Sequence, residues 1–169
     1  CIRMEYQSIR CQNTKKNMIC FHKIQERISD DEMQTLAQQC LDPNTEWWDA
    51  TDVKTDSYVN YSDNSISFSE NTTRPDSYLC KTPKGYMQPP HIDRGRDYSI
   101  YVPIYPNMYD YSPMTFYHDN ELSHIDNLDP GAMYLVNHKI MHSAFNFTDY
   151  DRFNLQITIT GELSQLLAL

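Results

Sequence analysis

The fold is decided by the stretch Arg152-Phe-Asn-Leu-Gln-Ile-Thr-Ile-Thr160. Polar and apolar residues alternate strictly along it, as on a β-strand whose successive side chains point to opposite faces of a sheet. The apolar face must pack against another layer, and the polar face must meet water or a polar cavity. The stretch therefore predicts a strand that lies between an apolar layer on one side and water or a polar cavity on the other.

Short strand-like stretches separated by turn signals, such as Asp129-Pro-Gly131, occupy much of the remaining chain. One helix is predicted after Ser29, which forms a capping box with Glu32 and precedes apolar residues at helical spacing. This order predicts a mainly β fold, a double-stranded β-helix (cupin-like jelly roll) with one or two N-terminal helices packed outside. The predicted strands are 18–24, 47–50, 65–69, 77–81, 98–104, 114–117, 132–137 and 152–160.

The length of 169 residues predicts a single domain over 1–169. Within it we expect an N-terminal strand and helix layer over 1–45, outside the main sheet, and a β-helix core over 46–165.

A net charge of −9 argues against nucleic acid as a partner. No apolar run approaches the ~20 residues of a membrane span, and no signal-peptide core opens the chain. These features predict a cytoplasmic protein with no membrane partner. The five cysteines, odd in number and without a C-x-x-C pair, predict free thiols.

His91 and Asp93 are separated by one residue, which on an extended strand places both side chains on one face. Two imidazoles and one carboxylate can occupy one face of an iron ion and leave the opposite positions open. His142 is the candidate for the second imidazole, and Arg152, ten residues later, can clamp a carboxylate. The pattern indicates an iron site next to an anion site.

Each part of this pattern also has a simpler interpretation. A motif of the type H-x-D arises by chance in a chain with six histidines, and Arg152 could instead form a surface salt bridge with Asp149 or Asp151. His138 competes with His142 as the third ligand, although it falls in a predicted turn. His118 and His124 flank a polar loop and are expected to be solvated, and His22 is expected to be structural.

The combination resembles the 2-oxoglutarate/Fe(II)-dependent oxygenase superfamily. It is closest to the branch of aspartyl/asparaginyl β-hydroxylases and proline-hydroxylase-like enzymes. The matching motifs are Lys81-Thr-Pro-Lys-Gly85, Pro90-His91-Ile-Asp93, Gly131-Ala-Met-Tyr-Leu-Val-Asn137 and His142-Ser-Ala-Phe-Asn-Phe-Thr-Asp-Tyr-Asp-Arg152-Phe-Asn-Leu155. Aspartyl β-hydroxylases proper lack the acidic ligand, so the presence of Asp93 makes the proline-hydroxylase-like members the better comparison.

The resemblance implies that His91, Asp93 and His142 bind Fe(II), and that Arg152 pairs with the C5 carboxylate of 2-oxoglutarate. With O2, such an enzyme hydroxylates an amino acid, an amino-acid-like metabolite or a peptidyl residue and releases succinate and CO2. Retention of Asp93 favours hydroxylation over halogenation, because halogenating relatives have a small residue at that position.

Three further residues are candidates for binding the substrate. Arg96 lies near the ligands, although it could equally pair with Asp97, while Ser99 and Tyr101 share the parity of His91 and Asp93. The short chain favours a small-molecule or peptide substrate, or closure of the site by a second subunit in a homodimer. The alternative function is a non-catalytic cupin-like domain that binds a metal or a small acid.

Overall fold

The computed structural model describes residues 8–10, 19–49, 66–71, 77–93, 96–105, 114–118, 121–125 and 128–159. These residues form eleven strands and one helix. In chain order they are β1 (Ser8–Arg10), β2 (Ile19–Arg27), α1 (Asp30–Leu41), β3 (Trp48–Asp49), β4 (Ser67–Glu70), β5 (Ser77–Thr82), β6 (Tyr98–Tyr105), β7 (Met114–His118), β8 (Glu121–Ile125), β9 (Ala132–Asn137), β10 (Met141–Ala144) and β11 (Arg152–Ile159).

Two antiparallel sheets contain all of these strands. The main sheet has the order β1-β2-β9-β6-β11-β5-β4-β3, and the second sheet has the order β10-β7-β8. Isolated bridges from Met87 to Phe145 and from His91 to His142 place residues 87–91 along the free edge of β10. We call residues 87–91 the His91 segment. It extends the second sheet to four strands.

The chain crosses repeatedly between the two sheets from β5 onward. It runs from β5 to the His91 segment, back to β6, across to β7 and β8, back to β9, across to β10 and back to β11. Four of these strands (β5, β6, β9 and β11) lie in the main sheet and four (the His91 segment, β7, β8 and β10) lie in the second sheet. Eight strands that cross between two packed sheets in this way form a jelly roll. The predicted fold class, a mainly β double-stranded β-helix, is therefore confirmed.

Apolar side chains fill the space between the sheets at one end. Phe21 on β2 stacks on Tyr134 of β9, with ring centroids 5.0 Å apart, and lies 6.3 Å from Phe116 on β7. Leu128 and Ile140 belong to the same buried cluster. Because this cluster joins both sheets, it fixes their separation and leaves the other part of the interior for a cavity.

A second core lies on the outer face of the main sheet, under α1. Leu36 and Cys40 of the helix pack with Val102 and with Phe153 and Leu155 of β11. The Ser29 hydroxyl accepts a hydrogen bond from the backbone N–H of Glu32 and caps the helix, as predicted. The apolar face of β11 thus meets the helix layer, and the helix packs outside the sheet as expected.

The N-terminal strand departs from its prediction. We expected it to lie with the helix in a layer outside the main sheet, but β2 belongs to that sheet and pairs with β9. Without β2, the edge of β9 would present unpaired backbone groups, which sheets tend to cover. The single domain over 1–169 stays a prediction.

Two other expectations were wrong. In the stretch 117–124, expected to be a polar loop, residues 117–118 belong to β7 and residues 121–124 belong to β8, and these two strands pair with each other. Cys20 is disulfide-bonded, whereas Cys40 and Cys80 are free and buried. Spacing along the chain does not report which cysteines come together in space, which is why the sequence did not reveal the bond. In the described part of the chain, no helix has the length and apolar character needed to span a bilayer.

Candidate metal centre

The two candidate ligand histidines are direct neighbours across two paired strands. The backbone N–H of each donates to the carbonyl oxygen of the other, at 2.9 Å in both directions. Residues opposite each other in an antiparallel pair project their side chains to the same face. His91 and His142 therefore point together into the interior, and their ring centroids are 4.4 Å apart.

Hydrogen bonds to the backbone fix how both rings are protonated. Nδ1 of His91 lies 2.8 Å from the carbonyl oxygen of Pro89, and Nδ1 of His142 lies 2.9 Å from that of Ile140. A carbonyl oxygen only accepts, so each Nδ1 must carry the proton and donate. In the neutral rings, each Nε2 therefore presents a lone pair, which is the form that binds a metal.

Asp93 is the third candidate metal ligand. Its Oδ1 lies 3.2 Å from Nε2 of His91 and 4.0 Å from Nε2 of His142. One ligand atom from each of the three residues lies within 4.8 Å of the other two. Three acceptor atoms that converge in a buried site repel each other unless a cation lies between them. The residues thus fit a metal ion of the type bound by two imidazoles and a carboxylate.

The pKa shifts agree with this arrangement. Burial lowers the pKa of His142 to about 4 and also lowers that of His138, so both rings are neutral near pH 7. Burial alone would raise the pKa of the Asp93 carboxyl, but contacts with His138 and His91 and the charge of Arg96 lower it well below its usual range. The centre therefore combines the neutral imidazole of His142 with the ionised carboxylate of Asp93.

Arg152 brings a positive charge to the wall of the same cavity. The residue is 6% exposed, and its guanidinium donates from Nη1 to the carbonyl oxygen of Phe145 at 2.8 Å. Its Nη2 lies 3.4 Å from the hydroxyl of Tyr101. Asp151 pairs with Lys81, and Arg152 is buried, whereas the surface salt bridge weighed as an alternative would require it to be exposed.

Asn154 follows Arg152 on the inward face of β11. It is 3% exposed, and its Nδ2 has no hydrogen-bond partner within the described residues. A buried amide donor without an acceptor is costly, so a bound molecule that brings an oxygen to it would be stabilised.

The cavity between the two sheets has a volume of about 60 Å³. It is lined by Ile66, Phe68, Cys80, Thr82, Gln88, His91, Arg96, Tyr101, Met114, Leu128, Val136, His138, His142, Ala144, Arg152, Asn154 and Gln156.

The candidate substrate residues lie close to these ligands. Arg96 donates to Asp93, and Asp97 binds Lys139, so the weighed Arg96–Asp97 pair does not form. Ser99 places its hydroxyl 2.6 Å from Nε2 of His138, and Tyr101 lines the cavity beside Arg152. A role for Arg96, Ser99 and Tyr101 in binding substrate stays a prediction.

Three residues at or near the centre were not predicted as part of the site: His138, Gln88 and Asn154. His138 was weighed only as a competing ligand, yet its Nδ1 lies 2.8 Å from Oδ2 of Asp93. Gln88 was not singled out, and its side-chain amide lies 3.0 Å from Nε2 of His91. For Asn154, the alternation of β11 already indicated a polar face shared with Arg152. For Gln88 no signal in the sequence was available, because its position depends on the path of the His91 segment.

The chain matches no protein-family model and no curated protein. Among solved structures, it is similar to a prolyl-4-hydroxylase of Pseudomonas putida (13% identity, 84% of this chain and 94% of that chain, TM-score 0.49). It is also similar to CENP-C of Drosophila melanogaster bound to CAL1 (9% identity, 77% and 98%, TM-score 0.47). A third is a cupin domain from Bordetella pertussis (18% identity, 60% and 90%, TM-score 0.37). At these values the similarities carry no argument about activity, and the fold rests on the strand order described above.

Proposed function

We propose that this chain is an Fe(II)- and 2-oxoglutarate-dependent dioxygenase that hydroxylates an amino acid, an amino-acid-like metabolite or a peptidyl residue. The observation on which the proposal rests is the convergence of two Nε2 lone pairs and one carboxylate oxygen in a buried cavity. His91, Asp93 and His142 would hold the metal and leave its other positions open. Bound Fe(II) would supply the activation of dioxygen.

The residues of β11 would position the co-substrate. Arg152 would pair with the C5 carboxylate of 2-oxoglutarate, since a buried guanidinium binds a carboxylate strongly. Asn154 Nδ2 would donate to the same carboxylate, which gives this buried donor its acceptor. Tyr101, whose hydroxyl lies 3.4 Å from Arg152, would keep the guanidinium in place. These contacts would orient the keto acid toward the metal ligands.

The overall reaction would consume one 2-oxoglutarate and one O2 for each substrate molecule. The substrate C–H becomes C–OH, and 2-oxoglutarate becomes succinate and CO2, so one oxygen atom of O2 enters each organic product. The apolar lining from Met114, Leu128 and Val136 would limit the entry of bulk water.

The proposal is tested by measuring succinate in air with Fe(II), ascorbate, 2-oxoglutarate and a panel of amino acids and peptides. We expect the wild-type protein to form succinate and His142→Ala to form none above the rate without protein. His22→Ala is the matched control, because His22 lies on β2 and does not line the cavity, and we expect it to retain the activity.

A titration with Mn(II), followed by electron paramagnetic resonance, separates the two ways in which the proposal can fail. If Mn(II) binds the wild-type protein but no succinate forms with any substrate, the chain is a non-catalytic metal-binding domain. If Mn(II) does not bind, or binds His142→Ala as tightly as the wild-type protein, the metal site itself is wrong.

A further inference from the structure

The two oxygens of Asp93 have different surroundings. Oδ1 faces the candidate metal position, between Nε2 of His91 and Nε2 of His142. Oδ2 accepts from Nε of Arg96 at 2.7 Å and pairs with its Nη2 at 2.6 Å, and Nδ1 of His138 lies 2.8 Å from the same oxygen. One oxygen of the carboxylate is therefore available to a metal, and the other is occupied by contacts with protein side chains.

The groups that hold Oδ2 are themselves anchored to the main sheet. Arg96 donates from Nη1 to the side-chain oxygen of Gln156 on β11. Nε2 of His138 lies 2.6 Å from the hydroxyl of Ser99 on β6, and the backbone N–H of His138 donates to the carbonyl oxygen of Asp97 at 2.9 Å. Both contacts with Oδ2 are therefore supported by strands opposite the sheet that carries the two candidate ligand histidines.

The contact between His138 and Asp93 is close but not aligned. Nδ1 lies 2.8 Å from Oδ2, yet the angle at the ring N–H does not meet that of a hydrogen bond. If the Ser99 hydroxyl donates to Nε2, the single proton of the neutral ring stays on Nδ1, facing the carboxylate.

We propose that Arg96 and His138 are positioning residues that keep Asp93 a one-oxygen ligand. By holding Oδ2, they prevent the carboxylate from turning both oxygens to the metal and closing a position that O2 or the co-substrate needs. This inference rests on the metal site of the proposed function. Partners of this kind, behind a ligand, commonly change metal affinity by about 10- to 100-fold.

Two other interpretations of His138 fit the structure less well. The order Ser99, His138, Asp93 matches the order of groups in a hydrolase triad, but Ser99 is 1% exposed and its hydroxyl is directed to His138. As a metal ligand, His138 would need a free nitrogen at the centre, whereas its two nitrogens face Ser99 and Oδ2 of Asp93.

The test uses Mn(II) as the probe and two measurements on the whole chain. Electron paramagnetic resonance gives the Mn(II) affinity, and water-proton relaxation gives the number of water molecules bound to the ion. We expect Arg96→Gln and His138→Ala to weaken Mn(II) binding about 10- to 100-fold and to lose one bound water, as Oδ2 takes its place. His138→Asn, whose amide nitrogen can replace Nδ1, should restore most of both signals.

Arg27→Gln is the matched control, because its guanidinium contacts the carbonyl oxygen of Pro130 away from the cavity. Ser99→Ala, a smaller change, should give a weaker loss in the same direction and covers the case in which Arg96→Gln does not fold. If Arg96→Gln and His138→Ala both keep the Mn(II) affinity and the number of bound water molecules of the wild-type protein, this inference is overturned. The proposed function would not be affected by that result. Loss of Mn(II) binding in His138→Ala as complete as in His142→Ala would make His138 a ligand. No Mn(II) binding by the wild-type protein would overturn the inference and the proposed function together.

Discussion

Arg152 brings a buried positive charge to the wall of a cavity in a protein whose net charge is −9. If it binds the C5 carboxylate, removing it leaves that carboxylate buried without its partner, which typically costs about 2–5 kcal/mol. We therefore expect Arg152→Gln to raise the 2-oxoglutarate concentration needed for half-maximal succinate formation by about 100-fold. Mn(II) affinity should stay within a few-fold of the wild-type value, because Arg152 is not one of the three candidate ligands.

Arg27→Gln serves as the control for Arg152→Gln, since it removes a guanidinium from the same chain without touching the cavity. An unchanged 2-oxoglutarate requirement in Arg152→Gln would contradict the assignment of this residue. A loss of Mn(II) binding to the same degree would also contradict it, because the variant would then have disturbed the metal centre.

Single residues differ in how well the sequence predicted them. The alternation along β11 assigns every side chain to a face and predicted that Arg152 shares a cavity with His142, and both line the cavity. Spacing and family resemblance predicted that His91, Asp93 and His142 lie together, and they do. The contact between His138 and Asp93 was missed because it depends on the turn between β9 and β10, whose geometry a single sequence does not specify. Such contacts come from the path of the backbone and not from a local pattern.

Helix α1 offers a direct comparison between its buried and exposed faces. Leu36 is fully buried against Leu79, Val102 and Leu155, whereas Leu41 at the end of the helix is 58% exposed. We expect Leu36→Ala to lower the free energy of unfolding by about 2–5 kcal/mol, because it leaves a cavity under the helix. Leu41→Ala should change it by less than about 0.5 kcal/mol. Urea unfolding followed by circular dichroism measures both, and equal losses would show that the helix does not depend on this face.

Helices and strands with a clear sequence pattern were predicted, whereas strands with a weak pattern were not. The capping box placed the start of α1, and the apolar run of β9 was predicted at its observed bounds. Strands β8 and β10 were not predicted, because they are short and partly polar. Both adopt a strand conformation because they pair with β7. Their backbone conformation is set by neighbours that are distant in sequence, which local propensity does not report.

The strand order of the whole molecule lay beyond local reasoning. The pairing of β2 with β9 joins residues more than 100 positions apart, and nothing in either stretch specifies the partner. The number of short strands, the turns between them and a polar face on β11 were sufficient to predict the fold class. The same topology then explains the site, because it places the inward face of β11 opposite the strand pair that carries His91 and His142.

Burial of neutral histidines makes the stability of the metal-free protein dependent on pH. The pKa of His142 is about 4 in the folded protein, against 6.5 for an exposed histidine. Between these values the unfolded chain binds more protons than the folded one, so stability falls as pH falls from about 6.5 to 4. For His142 alone we expect a loss of about 2 kcal/mol between pH 7 and pH 5.

Other charges also titrate in this range, and a chain with a net charge of −9 is relieved of repulsion as its carboxylates gain protons. The prediction is therefore made for the difference between two proteins, in which that relief cancels. With a chelator present, urea unfolding of the wild-type protein and of His142→Gln is measured at pH 7 and pH 5. The wild-type protein should lose about 2 kcal/mol more than the variant over this interval. If both lose the same amount, His142 takes up its proton as readily in the folded protein as in the unfolded chain, and it does not lie in the buried, neutral centre on which metal binding depends.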